Sequence, residues 1–396
     1  FGVVGLLIFA SPGWLLPVPN LPAPSGPEVI GTEVFELVDR ERDQTYGPRP
    51  GANRRIVVQA YYPALSDSEF DRAPIHPNWD VVGPALSRSV GLPGWFFDHV
   101  RYTRSHTYMG LNVAPGTYPV VVYSHGWTGY RSVGLTQIET LVSNGYIVLA
   151  IDHTYGAVAT VLADGEVVPY DEDALPDQES VTEAVYDEAS ELLVAVDAGD
   201  LVTVLGALEE GEEGPLATLA GDMDLTRIGL FEHSTGGGAA VTVCLQDERC
   251  DAVLGMDPWV EPIPNRVLAL SATRPAMFLR SAEWQEKPND PILRGIAERS
   301  ERTSYWIAID GTGHNDFTVA PLLSPVADEF GLKGPIGAGR IISIVNQYLL
   351  GFFDVFLLGT GPASIEAVSF DEVSLEILGN TGTDVEENGE DGVGDG

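Results

Sequence analysis

Short apolar runs alternate with segments of helical spacing along most of the chain. Thr32–Asp39 and Arg55–Tyr62 have period-two character and read as early strands. Val120–Ser124 is a β-branched run ending in His125-Gly126, and Tyr146–Ile151 is the next buried strand. Val133–Asn144, between them, has helical spacing. Val181–Leu208 predicts a long acidic amphipathic helix with a break near Gly199. Arg227–Phe231 predicts a strand, and Gly236–Leu245 a helix of small residues. Ala252–Met256, Ala276–Arg280 and Tyr305–Ile309 are further strands. Ile341–Leu358 is a long apolar helix that Asn346, Gln347 and Asp354 interrupt, which marks a packed core helix rather than a membrane span. Strands alternating with helices predict an α/β fold, a mostly parallel central sheet of about eight strands with helices on both faces.

The two ends depart from this pattern. Residues 1–27 carry no charged side chain; an apolar decapeptide is followed by six prolines between Pro12 and Pro27. Ten apolar residues are about half of what spans a bilayer. The stretch 1–28 therefore reads as the remnant of an anchor or signal segment and a Pro-rich linker, a membrane tether for an extracytoplasmic or secreted protein. An apolar arm packed on the domain is the alternative. Thr381–Gly396 holds six acids, five glycines and no base, and 379–396 reads as an acidic disordered tail. The remainder, 29–378, is long enough for one large domain.

Charge narrows the function classes. The 396 residues include 58 Asp or Glu against 21 Lys or Arg, a formal net charge of −37, and only Lys287 and Lys333 are lysines. Such a surface repels phosphate backbones and anionic lipid, so nucleic-acid partners are excluded. Excess acid with almost no lysine fits a high-salt habitat, where salt screens self-repulsion. Neither CxxC nor HExxH occurs, so zinc has no motif, and no cofactor is called for. Cys244 and Cys250, six apart, fit a local disulfide, with two buried thiols as the alternative.

The candidate chemistry centres on Glu232-His233-Ser234-Thr235-Gly236-Gly237-Gly238, which follows a strand and opens a helix. That is the context of a nucleophile elbow, with Ser234 lifted off the end of the sheet. Glu232 stands where the elbow has glycine, and it is expected to crowd the turn. A serine nucleophile needs a base and the base an orienting acid, in chain order acid then histidine. After Ser234 the one remaining histidine is His314, in a Gly-rich loop after a strand. Asp257 ends the strand one after the serine and is the first choice of acid; Glu283 is second and Glu232 third. The N–H groups of Trp127, after Val120–Ser124, and of Thr235 are the expected oxyanion donors, with Gly126 admitting the substrate. Trp127 and Trp259 are expected to line an acyl pocket. His153 reads as structural.

With these residues in place, the chain resembles the platelet-activating factor acetylhydrolase family of α/β-hydrolases over roughly Glu33 to Leu357. The motifs are Tyr61-Tyr62-Pro63, Ser124-His125-Gly126, His233-Ser234-Thr235-Gly236-Gly237, Met256-Asp257-Pro258-Trp259, Ser281-Ala282-Glu283 and His314-Asn315-Asp316-Phe317-Thr318. The resemblance implies an α/β-hydrolase domain with Ser234 as nucleophile, Asp257 as acid, His314 as base, and the amides of Trp127 and Thr235 as oxyanion donors. It also implies metal-independent hydrolysis of short-chain or lipid-like esters through an acyl-enzyme. Gly126-Trp127-Thr128-Gly129 and the triple glycine also resemble bacterial cutinases and polyester hydrolases, where the acid comes from the later strand, here Glu283. A reading of another class is a non-catalytic ligand-binding protein of this fold, motivated by Glu232.

Overall fold

The computed structural model describes residues 16–65, 70–325 and 327–380. Thirteen strands are formed there: β1 (Val29–Asp43), β2 (Asn53–Ala64), β3 (Arg72–Pro74), β4 (Arg104–Met109), β5 (Tyr118–Ser124), β6 (Ile147–Asp152), β7 (Ala159–Val161), β8 (Val167–Pro169), β9 (Met223–His233), β10 (Ala252–Met256), β11 (Ala276–Ser281), β12 (Thr303–Ile309) and β13 (Val373–Gly379). The longer helices are α1 (Trp79–Ser89), α2 (Leu135–Ser143), α3 (Glu183–Glu209), α4 (Thr235–Gln246), α5 (Asn289–Glu298) and α6 (Ala338–Leu358).

Eleven strands form one sheet in the order β13-β12-β11-β10-β9-β5-β6-β2-β1-β4-β3. The block from β6 through β5, β9, β10 and β11 to β12 is parallel throughout. The sheet is larger than the expected eight because antiparallel β13 closes one edge and β4 and β3 extend the other.

Central strands are buried on both faces, which is why they read as unbroken apolar runs. Along β5, Val121 and Tyr123 face one core with α2 and α6, while Val120 and Val122 face a second core with α3 and α4. This is the period-two alternation of a strand. α6 is long and apolar enough to cross a membrane, but Ile341, Ile344, Tyr348 and Phe352 are fully buried in the first core. α3 runs unbroken through Gly199, because that glycine makes room for the Arg42 guanidinium without disturbing the helix.

The Pro-rich stretch expected as a linker is laid on the domain from Leu21 onward. Leu21 is buried, the N–H of Gly26 donates to Ser143 Oγ (3.1 Å), and the N–H of Glu28 to the Ser143 carbonyl (3.0 Å). The apolar decapeptide and the acidic stretch from Thr381 lie outside the described residues. Cys244 and Cys250 form a disulfide between the end of α4 and the start of β10, Cα atoms 5.2 Å apart.

Candidate active site

The site lies at the carboxyl ends of the parallel strands, where βα loops converge. Ser234 joins β9 to α4 and adopts φ +60° and ψ −118°, a conformation strained for a residue with a Cβ. The turn is held by Ser234 N–H to the Met256 carbonyl (3.2 Å) and by the Trp259 and Gly237 N–H groups to the Ser234 carbonyl (2.8 and 2.9 Å). Ser234 is half-buried while Glu232, His233, Thr235 and Gly236 around it are buried.

Asp257 follows β10 and also has a positive φ, +47°. Its carboxylate is buried and accepts from the Ser281 N–H (2.8 Å) and Ser281 Oγ (2.5 Å), both at the end of β11. The remaining contact is His314 Nδ1, 3.0 Å from Asp257 Oδ2. Glu283 meets the same loop differently: its Oε2 accepts the main-chain N–H of His314 (2.8 Å), not the ring. The structure thus brings Asp257, and not Glu283 or Glu232, to the imidazole.

Two rings pack against that imidazole. Trp284 stacks on it, with centroids 4.4 Å and planes 9° apart, and the His233 ring lies 4.3 Å from it, tilted by 32°. His233 Nε2 donates to the His314 carbonyl (2.9 Å). Burial, with the His314 charge second, pushes His233 well below the usual histidine range, so it stays neutral beside the base.

Glu232 does not crowd the nucleophile. Its side chain lies beneath the elbow, in space left by Gly237 and Gly255; a Cβ on Gly255 would meet Glu232 Oε1 at 2.6 Å. Both carboxyl oxygens are buried without a partner among the described residues. Burial first, then the Asp257 charge, pushes its pKa well above 4.5, favouring the protonated form.

The loop after β5 approaches the serine so closely that a Cβ on Gly126 would meet Ser234 Cβ at 2.7 Å. Two cavities meet at Ser234 and Trp127. The smaller, about 160 Å³, is lined mainly by apolar groups, among them Leu86, Val90, Phe97, Val133 and Leu323, with His314 at its edge. The larger cleft, about 950 Å³, runs past Thr235, Tyr186, Trp259, Trp284 and Glu261. Trp259, expected with Trp127 in one acyl pocket, lines only the large cleft of these two, since the β10–β11 connection turns it toward Tyr186.

Sequence reasoning missed Ser281, His233 and Trp284. Ser281 and Trp284 flank the candidate acid Glu283, and their position after β11 was the available signal.

Fold and site together define a serine ester hydrolase of the α/β-hydrolase class. Residues 51–357 match the family model described as platelet-activating factor acetylhydrolase, isoform II, and the chain belongs to that family. It is similar to the platelet-activating factor acetylhydrolase of Bos taurus, 25% identical over 336 residues that cover 77% of this chain and 72% of the relative. It is 23% identical to a probable 1-alkyl-2-acetylglycerophosphocholine esterase of Arthroderma benhamiae, covering 87% and 91% of the two chains. Among solved structures, a ferulic acid esterase from Streptomyces cinnamoneus superposes with a TM-score of 0.74 at 26% identity, over 90% of this chain and 99% of that one.

Proposed function

We propose that the protein is a serine carboxylesterase of short-chain acyl esters, with Ser234 as nucleophile, His314 as base and Asp257 as its orienting acid. The observation that carries this is the Asp257 carboxylate, locked by Ser281 and given to His314 Nδ1 at 3.0 Å. With Nδ1–H engaged there, Nε2 is the nitrogen left to take the Ser234 proton and pass it to the leaving alcohol. The N–H groups of Trp127 and Thr235 would receive the oxyanion, each contributing about 3 kcal/mol to the transition state. Water then hydrolyses the acyl-enzyme by the same route.

The small apolar cavity is suited to the acyl chain and the larger polar cleft to the alcohol. The aromatic groups Trp127, Tyr186, Trp259 and Trp284 along the cleft support a second reading, cleavage of polyesters. The disulfide favours an oxidising, extracytoplasmic setting. A tether through the first residues and a high-salt habitat complete the proposal.

The test is hydrolysis of p-nitrophenyl acetate through decanoate by wild type and Ser234→Ala, at low and molar salt, with a polyester film in parallel. Activity that falls off with chain length and vanishes in the variant is expected. Activity that survives Ser234→Ala rejects the assignment.

A further inference from the structure

Behind the site lies a second hydrogen-bonded Ser-His-Asp row that the mechanism above does not use. Ser124 ends β5, His153 follows β6 and Asp200 sits in the middle of α3. Ser124 Oγ is 2.8 Å from His153 Nε2, and His153 Nδ1 is 3.1 Å from Asp200 Oδ2. All three have no exposed surface, so Ser124 cannot meet a substrate. His153, Asp197 and Asp200 stand close enough to hold a cation. Two guanidinium groups already occupy the Asp200 carboxylate, however: Arg54 on both oxygens (3.0 and 2.6 Å) and Arg42 on one (2.6 Å). The row is therefore clamped at its acid end by protein cations.

Its other end leads to the oxyanion loop. The main-chain N–H of His153 points at His125 Nε2, 3.3 Å away. An accepting Nε2 makes Nδ1 the protonated nitrogen of His125, and Nδ1 lies 2.7 Å from the Gly126 carbonyl. That carbonyl also accepts the N–H of Gly129 (2.8 Å). The Gly126–Trp127 peptide is trans, so its C=O and N–H point in opposite directions. Fixing the carbonyl of Gly126 therefore fixes the N–H of Trp127. The following residue is secured as well, Thr128 N–H donating to the Gly156 carbonyl at 2.9 Å. Burial, with the neighbouring His153 second, lowers His125 to about 3, so this tautomer persists at any working pH.

We propose that the buried Ser124–His153–Asp200 row is a positioning device that acts through His125 to aim the Trp127 amide at the oxyanion. His153 and Asp200 touch no reacting atom. Their work is to hold the His153 ring, hence its main-chain N–H, hence the His125 tautomer. The inference rests on Ser234 being the nucleophile, and the experiment separates the two.

Wild type and Ser234→Ala are assayed first; activity surviving that substitution overturns both claims. His153→Gln and Ser124→Ala are then compared with wild type per titrated active site. The readouts are kcat, KM, and inhibition by an acyl trifluoromethyl ketone, whose tetrahedral adduct places an oxyanion at these amides. Removing a whole oxyanion donor costs about 10²–10³ in kcat, so misaiming one is expected to cost about 10–100-fold. The ketone should weaken by the same factor, with KM within about twofold on the same reasoning. His125→Gln, which keeps a donor for Gly126, should retain more activity than His125→Ala. Undiminished ketone affinity, or wild-type kcat per active site, overturns the inference. If His153→Gln does not fold, Ser124→Ala, which removes one buried oxygen, is read by the same two criteria.

Discussion

The imidazole of His314 lies flat against the indole of Trp284, the planes 9° apart. An indole face attracts a cation by about 0.5–2 kcal/mol, and under the proposed mechanism the His314 ring gains positive charge as it takes the Ser234 proton. His233, whose pKa burial pushes well below the usual histidine range, adds no opposing charge beside it. Trp284→Ala should therefore lower kcat by about two- to thirtyfold, with Trp284→Phe intermediate. Steady-state kinetics on a short p-nitrophenyl ester measures this, and an unchanged kcat would remove Trp284 from the mechanism.

The two candidate acids make opposite predictions. Asp257 accepts from the ring of His314, so Asp257→Asn should cost about 10³–10⁴ in kcat by releasing the imidazole from its tautomer. Glu283 accepts only the main-chain N–H, a contact an amide oxygen can keep, so Glu283→Gln should cost less than about tenfold. A larger loss in Glu283→Gln than in Asp257→Asn would reverse the assignment.

Glu232 gives a pH signature in stability. Its folded pKa is raised above the ordinary 4.5, so the folded chain binds a proton that the unfolded chain releases once the pH exceeds that value. Wild type should lose stability relative to Glu232→Gln as pH rises from about 4.5 toward the raised folded value. Below that window the two curves should run parallel. Thermal melts of both chains between acid and alkaline pH decide it; parallel curves throughout would mean that Glu232 is ionised in the fold.

The Cys244–Cys250 disulfide closes a short loop between α4 and β10. For a loop of this length the chain-entropy relation gives about 2 kcal/mol. Urea unfolding of a Cys244→Ala, Cys250→Ala double variant should show that loss, while ester hydrolysis continues because the loop lies at the opposite strand ends from Ser234.

With a net charge of −37, repulsion between surface carboxylates opposes folding. The screening length shrinks from about 10 Å at 0.1 M to about 3 Å at 1 M salt. Thermal stability should rise from low to molar sodium chloride, and a flat response would dispose of the high-salt habitat.

The centre of this fold was legible in the sequence, and its margins were not. Ala252–Met256 is buried on both faces and reads as an unbroken apolar run, matching β10 residue for residue. β4, Arg-Ser-His-Thr-Tyr-Met, sits near an edge and carries no such run. β13 alternates weakly because its residues are half-buried or exposed. α1 contains Pro84, a residue that argues against a helix until the surrounding packing is known. In the site, Ser234, Asp257 and His314 could be picked out because each stands just after a strand, in an order that constrains the roles. The stacking of Trp284, the clamp of Ser281 on Asp257 and the contact of His153 with Ser124 depend on which loops meet in space. Local spacing carries no record of that. Glu232 looked disruptive because glycine is the residue expected at the elbow. The compensating room comes from Gly237 and Gly255, and Gly255 lies on a neighbouring strand.

The unequal cavities on the two sides of Ser234 bear on how different esters would compete. An enzyme that grips the acid tightly and leaves the alcohol in open space passes through one shared intermediate for every ester of a given acid. Deacylation then sets a common ceiling on turnover, while each alcohol affects only how quickly that ceiling is approached. Added nucleophiles such as methanol or glycerol could enter through the wide side and intercept the acyl group before water. Hydrolysis and acyl transfer would then be branches from the same intermediate.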